Sequence, residues 1–126
     1  MQSDLCPCGS NTLYSKCCGP IHLGAADAET AEALMRSRYC AFVKMDSGYL
    51  IRSWHESTRP SNLTLDATNW IGLKIKSTHK GLPADLEGWV EFVARYKIDG
   101  RAHRLIENSY FKKENGAWFY VSAVES

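Results

Sequence analysis

Val90-Glu91-Phe92-Val93-Ala94-Arg95-Tyr96-Lys97-Ile98 places apolar side chains at every second position, with mostly polar residues between them. Successive side chains of a β-strand point to opposite faces, so Val90, Phe92, Ala94, Tyr96 and Ile98 are predicted to share one covered face. Asp99-Gly100 follows at once, a pair suited to the left-handed residues of a tight hairpin turn. His103 to Lys112 alternates less cleanly, and Asn115-Gly116 turns the chain again into a last strand, Trp118 to Val124. Upstream, Ile71, Leu73 and Ile75 alternate with Gly72, Lys74 and Lys76. The last three strands read as an antiparallel meander within a sheet of about four.

Before Pro60 the period is that of a helix. Ala31, Leu34, Met35, Arg38/Tyr39 and Phe42 recur at steps of three and four. The helix is predicted to start near Asp27 or Ala28, with Thr30 as a second possible cap and Glu29 and Glu32 at the positive end of its dipole. It is predicted to end around Met45. Asp46 or Ser47 can cap a short second helix, Gly48 to Ser53. Helices followed by antiparallel strands define an α+β domain, in which one long helix covers the apolar face of a bent sheet and leaves room for a cavity at one end.

The amino-terminal stretch is different. Residues 3 to 20 are rich in Cys, Gly, Ser, Asn and Pro, and are predicted to be irregular backbone organised by a metal. Four of the five cysteines fall here, as Cys6-Pro7-Cys8 and, eight residues later, Cys17-Cys18. Four soft thiolates converging tetrahedrally suit one zinc ion. The adjacent Cys17 and Cys18 can both reach it only from bent or helical backbone, and the alternative of a redox or disulfide pair is disfavoured by strain and by the two further thiols close by. Cys40 stands apart on the helix and reads as a small buried hydrophobe.

The 126 residues fit one domain with a small appendage. The formal charge is +1, and four thiolates plus a dication would bring it to about −1. Neither value provides the basic field that broad nucleic-acid binding needs. No stretch approaches the roughly 20 apolar residues of a membrane span. Met1-Gln2-Ser3-Asp4 lacks the basic region and apolar core of a signal peptide. A cytoplasmic protein is expected, where clustered thiols stay reduced and serve metals.

Cys6-Pro7-Cys8-Gly9-Ser10-Asn11 with Tyr14-Ser15-Lys16-Cys17-Cys18-Gly19 resembles the SEC-C zinc motif found at the C-terminus of the SecA translocase ATPase and in small bacterial proteins. Asn11-Thr12 stand where that motif usually has Gly-Lys, which leaves Lys16 as the loop's basic residue. Residues 30 to 43, then Tyr49-Leu50, Trp54 to Pro60, Val90 to Tyr96 and the run from Glu107 through Trp118 resemble the YchJ-like family of bacterial proteins. The resemblance implies a zinc knuckle over residues 1–22 and a nuclear-transport-factor-2-like (NTF2-like) cone over 27–126, with helices packed on a curved antiparallel sheet.

Trp54-His55-Glu56-Ser57-Thr58-Arg59-Pro60 is the most polar-aromatic cluster outside the metal motif. His55 and Arg59 are candidates to line the mouth of the cone and bind an anionic or carbonyl ligand, with Trp54 beside them; the alternative is that they fix the helix-to-strand turn. Glu107 shares a strand face with His103, Leu105, Ser109 and Phe111; an inward face would let it pair with Arg59 or His55, and an outward one would leave it solvated. Arg36 and Arg38 flank the helix stripe, one of them predicted to pair with a strand carboxylate such as Glu91 or both to be solvated. No Ser-His-Asp order, phosphate loop or carboxylate pair appears.

Three functions follow as expectations. The first is a zinc-binding adaptor whose knuckle docks a protein or ribonucleoprotein partner through Ser10 to Tyr14 and Lys16. The second is a small enzyme or ligand-binding protein that uses the cone. The third is zinc as a plain staple. A zinc ion saturated by four thiolates has no position for water, which removes it from catalysis.

Overall fold

The computed structural model describes residues 4–65 and 68–124, so Met1 to Ser3, read above for signal character, lie outside the described residues. Three helices precede a sheet. A single 3-10 turn, Tyr14–Lys16, leads into α1 (Cys18–Leu23), followed by α2 (Ala31–Val43) and α3 (Ser47–Arg52). The strands are β1 (Asn69–Lys80), β2 (Glu87–Ile98), β3 (Arg101–Glu114) and β4 (Ala117–Val124), in spatial order β1-β2-β3-β4 with every neighbour antiparallel. Helices first and one antiparallel sheet after them is the α+β arrangement that the change of period predicts.

The turns follow from local chemistry. Asp99-Gly100 and Asn115-Gly116 both sit at positive φ, 50° and 79° in the first pair and 52° and 80° in the second. Two consecutive left-handed residues match the twist of the strands they join. Thr30 caps α2 by accepting from the Ala33 N–H at 3.0 Å, and Asp46 caps α3 by accepting from the Tyr49 N–H at 3.1 Å. Each cap satisfies an amide that the helix itself leaves unpaired.

α2 lies on the inner face of the sheet. Its Ala31, Leu34, Met35 and Tyr39 pack with Val90, Phe92 and Ala94 of β2, Phe111 of β3 and Trp118 of β4. The fit is closest where α2 begins. A Cβ on Gly88 would come within 2.5 Å of the Gly81 Cα, and one on Gly81 within 2.7 Å of the Ala31 Cβ. The Ala31 N–H donates to the Gly81 carbonyl at 2.9 Å in the same place. The Trp118 indole N–H reaches the Glu29 carbonyl at 3.2 Å and ties the helix entry to β4.

Four sequence expectations change. α2 starts at Ala31 with Thr30 as its cap, the second of the starts offered, and not near Asp27 or Ala28. α1 begins at Cys18, inside the segment predicted to be irregular. In β1 the register shifts between Trp70 and Gly72 and again between Ile75 and Ser77. The first bulge removes Ile71 from the face of Leu73 and Ile75 and exposes it, while Trp70 packs on the core in its stead. Ile98, predicted on the covered face of β2, is exposed beside the Asp99-Gly100 turn.

Candidate metal centre and cone cavity

The knuckle is a small hairpin closed by a helix. The Cys6 N–H donates to the Thr12 carbonyl at 2.8 Å and the Tyr14 N–H to the Asp4 carbonyl at 3.0 Å, with Leu5 and Leu13 bridged between them. Gly9 at φ 84° and Asn11 at φ 64° turn the loop. Cys17 sits on a bend at φ −130°, ψ −100°, and Cys18 is the first residue of α1. That break in direction is how two neighbouring residues aim their sulfurs at one point.

The four Sγ atoms of Cys6, Cys8, Cys17 and Cys18 lie within 4.8 Å of one another. A tetrahedron with 2.3 Å metal–sulfur arms has edges of about 3.8 Å. Cys8 and Cys17 are 3.6 Å apart and Cys17 and Cys18 are 3.9 Å apart. The donor set and its spacing therefore fit a metal ion. The Ser10 hydroxyl, 3.1 Å from the Cys17 sulfur, adds a hydrogen bond to the most accessible of the four.

The electrostatics of the thiols agree with that reading. The Cys8 thiol is held down at about 4, chiefly by its hydrogen bond with Cys18. Burial pushes Cys6 up to about 12. Cys18 is raised, first by its hydrogen bond with Cys40 and then by that with Cys8. So many buried sulfurs cannot all carry charge without a cation among them.

The knuckle is set against the domain. Arg36 of α2 donates through Nη1 to the Cys8 carbonyl at 2.8 Å and pairs through Nε with Glu32 at 3.0 Å. Cys40, fully buried, places its sulfur 3.9 Å from that of Cys6. The His22 Nε2–H donates to the Ser37 carbonyl at 2.8 Å, which leaves Nδ1 to accept from the Tyr14 hydroxyl at 2.7 Å. Burial raises the Tyr14 phenol to about 12, and the Lys44 ammonium lies 4.2 Å above its ring. Tyr14, for which the sequence leaves open an outward docking role or folding back against its own domain, is turned inward.

On the other side of α2 is a cavity of about 250 Å³. Trp54 and Glu107 line it; His55 and Arg59 do not. They share a surface depression with Glu114. The His55 Nε2 meets Glu114 Oε2 at 2.7 Å and its Nδ1 meets the Ser57 hydroxyl at 2.7 Å, while the Arg59 Nε–H caps the Trp54 carbonyl at 2.9 Å. The His55 N–H joins the Tyr120 carbonyl at 2.7 Å and the Tyr120 N–H joins the Ser53 carbonyl, so the segment runs along the outer edge of β4. This pairing turns the His55 ring to the end of the β3–β4 hairpin and away from the cone.

The cation of the cone is Arg38. Its side chain is buried, with Nη1 donating to the Leu50 carbonyl at 2.9 Å and the Ser53 hydroxyl at 2.7 Å. Arg36, not Arg38, stays half-exposed, and its carboxylate is Glu32 on the same helix rather than Glu91. Arg38 was legible in the helix stripe, four residues after Leu34, but a charge on an apolar stripe reads first as a boundary residue.

The matches to known proteins agree with both halves. The SEC-C motif matches residues 3–20, and the YchJ middle NTF2-like domain matches residues 30–123. A UPF0225 protein of Xanthomonas oryzae is 48% identical over 127 residues, covering 98% of this chain and 96% of its own. The chain belongs to the UPF0225 family. A second UPF0225 protein, from Streptomyces coelicolor, is 50% identical over 122 residues and covers 96% and 95% of the two chains. Among solved structures, a SEC-C motif-containing protein from Rhodopseudomonas palustris superposes with a TM-score of 0.83 at 28% identity, over 96% of this chain and 98% of that one. Another, from Psychrobacter arcticus, gives 0.76 at 27% identity over 96% and 83%. Family membership thus covers the cone and the knuckle together. Among the described residues, no helix is long and apolar enough to cross a membrane.

Proposed function

We propose that this UPF0225 chain is a zinc-binding interaction protein whose metal is structural and whose knuckle docks a protein partner. The observation that carries the reading is the closure of the cysteine cluster. Four sulfurs lie within 4.8 Å of one another, three of them on buried residues, and an ion held by all four would have no coordination position left for a substrate or an attacking water. Soft thiolate ligands in this geometry favour zinc over hard cations, and a reducing cytoplasm keeps such thiols available.

The surface that such a knuckle offers is its outer rim. Leu5, Asn11, Thr12 and Lys16 are exposed, and Tyr14 is not among them because it is bonded to His22. A metal-closed loop presents these groups with little ordering left to lose on binding. Metal analysis of chain purified without chelator tests the first half, with one equivalent of zinc expected. Affinity capture with wild type and with Leu5→Asp, both carrying full zinc, tests the second. A partner lost with Leu5→Asp and kept after nuclease treatment is the expected result. Loss on nuclease treatment would make the partner a ribonucleoprotein, and identical capture by both forms would remove the knuckle rim from the interface.

A further inference from the structure

The cone cavity holds a buried cation whose hydrogen bonds to the protein are incomplete. Arg38 uses both Nη1 hydrogens, on the Leu50 carbonyl and the Ser53 hydroxyl. Its Nε and Nη2 donate to no group among the described residues, and no carboxylate lies within 4 Å of it there. No buried side-chain nitrogen or oxygen among those residues lacks a partner. Nε and Nη2 must therefore keep accessible surface, and the space that Arg38 borders is the cavity. The guanidinium lies with its carbon 4.5 Å from the Tyr120 ring centroid and 5.1 Å from that of Trp54, two rings set nearly perpendicular to each other. It is fixed in orientation with its remaining fork presented to the cavity, the geometry that accepts a carboxylate through two parallel hydrogen bonds.

An anion alone would meet a like charge. Glu107 borders the same cavity, its Oε2 accepting from the Ser109 hydroxyl at 2.8 Å. Burial lowers the Arg38 guanidinium to about 10, with Glu107 among the groups that oppose the shift. The cavity thus carries one positive and one negative side chain that do not touch. Between them the walls are aromatic: Tyr39, Phe42, Trp70 and Phe92. A volume of about 250 Å³ lies just below the roughly 300–1,000 Å³ usual for drug-sized ligands.

We propose that this cavity is a binding site for a small zwitterion with an apolar or aromatic body, the class of the aromatic α-amino acids. The carboxylate takes the Nε/Nη2 fork of Arg38. The ammonium takes Glu107, and the aromatic walls favour both the cation and the ring attached to it. Each charge of the ligand is answered by one of opposite sign, so neither it nor the side chain it meets is left buried and unpaired. The site is independent of the knuckle's role, since every group in it lies between Met35 and Tyr120, outside the knuckle.

The test is a heteronuclear NMR titration of the zinc-loaded full chain with L-phenylalanine, 3-phenylpropanoate and 2-phenylethylamine. Saturable shifts of the Trp54 and Trp70 indole N–H signals are expected with the amino acid, with each truncated analogue weaker by about tenfold or more. Arg38→Lys should abolish binding of the amino acid and of the propanoate. That variant disturbs bonds to α3, so Glu107→Gln provides a second arm: it should weaken the amino acid about tenfold and leave the propanoate no weaker. The site is overturned if none of the three compounds gives saturable shifts in the wild type. It is equally overturned if the propanoate binds as well as the amino acid, or if Glu107→Gln leaves the preference between them unchanged.

Discussion

The sulfur of Cys40, on α2, lies 3.9 Å from the sulfur of Cys6, in the knuckle. A fifth thiol is thus packed against the metal cluster without completing the mutual spacing that the other four share. Cys40→Ala should keep one equivalent of metal and cost about 1 kcal/mol of stability through lost packing. Cys17→Ser should lose tight binding, since a serine hydroxyl is a poor soft-metal ligand. Metal analysis of the two variants checks this; loss of metal from Cys40→Ala would place Cys40 inside the ligand set.

Removing the metal should affect more than the knuckle. From sequence alone, residues 3 to 20 are expected to come loose while the rest stays folded. The bonds of Arg36 to Cys8 and of His22 to Ser37, with the Cys6–Cys40 contact, tie the two together. Thermal unfolding in the presence of a chelator should show one transition at lower temperature. An unchanged main transition would restore the picture of a separable knuckle.

His22 is the polar pin of that interface. Replacing it with Ala removes its bonds to the Ser37 carbonyl, which keeps its helical partner, and to the Tyr14 hydroxyl, at a cost of about 1–3 kcal/mol. Denaturant unfolding of His22→Ala measures the loss, and Tyr14→Phe, which removes a single hydroxyl, should lose less.

Gly88 is closed to any side chain. Its added Cβ would strike the Gly81 backbone at 2.5 Å, a clash that no side-chain rotation relieves. Gly88→Ala should destabilise the chain by about 1–3 kcal/mol and loosen the start of α2. Hydrogen exchange at the Ala31 amide, bonded to the Gly81 carbonyl, reports the loosening directly.

The His55–Glu114 pair predicts a pH dependence. The hydrogen bond from His55 holds the Glu114 carboxyl below its ordinary value of 4.5. A depressed acid contributes stability above its unfolded value and loses it as pH falls through the folded one. Wild type should therefore melt above Glu114→Gln near neutrality, and the two should converge below the carboxylate range. Glu114 is exposed, so the separation should be small and shrink in salt.

Much of this was readable in the chain. The turns at Asp99-Gly100 and Asn115-Gly116, the caps at Thr30 and Asp46, and the cysteine spacing each carry their geometry locally. Period two also put Glu107 on one strand face with His103, Leu105, Ser109 and Phe111, but not which way that face looks: Leu105, Glu107 and Ser109 border the cavity while His103 is exposed. The errors lie where tertiary contacts override local pattern. A bulge reversed Ile71, and the pairing of residues 54 and 55 with β4 carried His55 out of the cone. The burial of Arg38 is not legible locally because its charge rests on the Leu50 carbonyl, the Ser53 hydroxyl and the Tyr120 ring, twelve or more residues away in sequence.

Gly9 approaches the sheet so closely that a Cβ there would come within 3.1 Å of the Leu73 carbonyl oxygen. Leu73 lies in β1, an outer strand whose far flank pairs with no other strand among the described residues. A bare flank of this kind is a template for another molecule's strand, and here it is guarded by two bulges, by Lys74 and Lys76, and by the knuckle lying across it. Loss of the metal would lift that guard. Metal-depleted protein should therefore self-associate through β1 into thioflavin-positive, cross-β aggregates, with metal starvation rather than heat as the trigger.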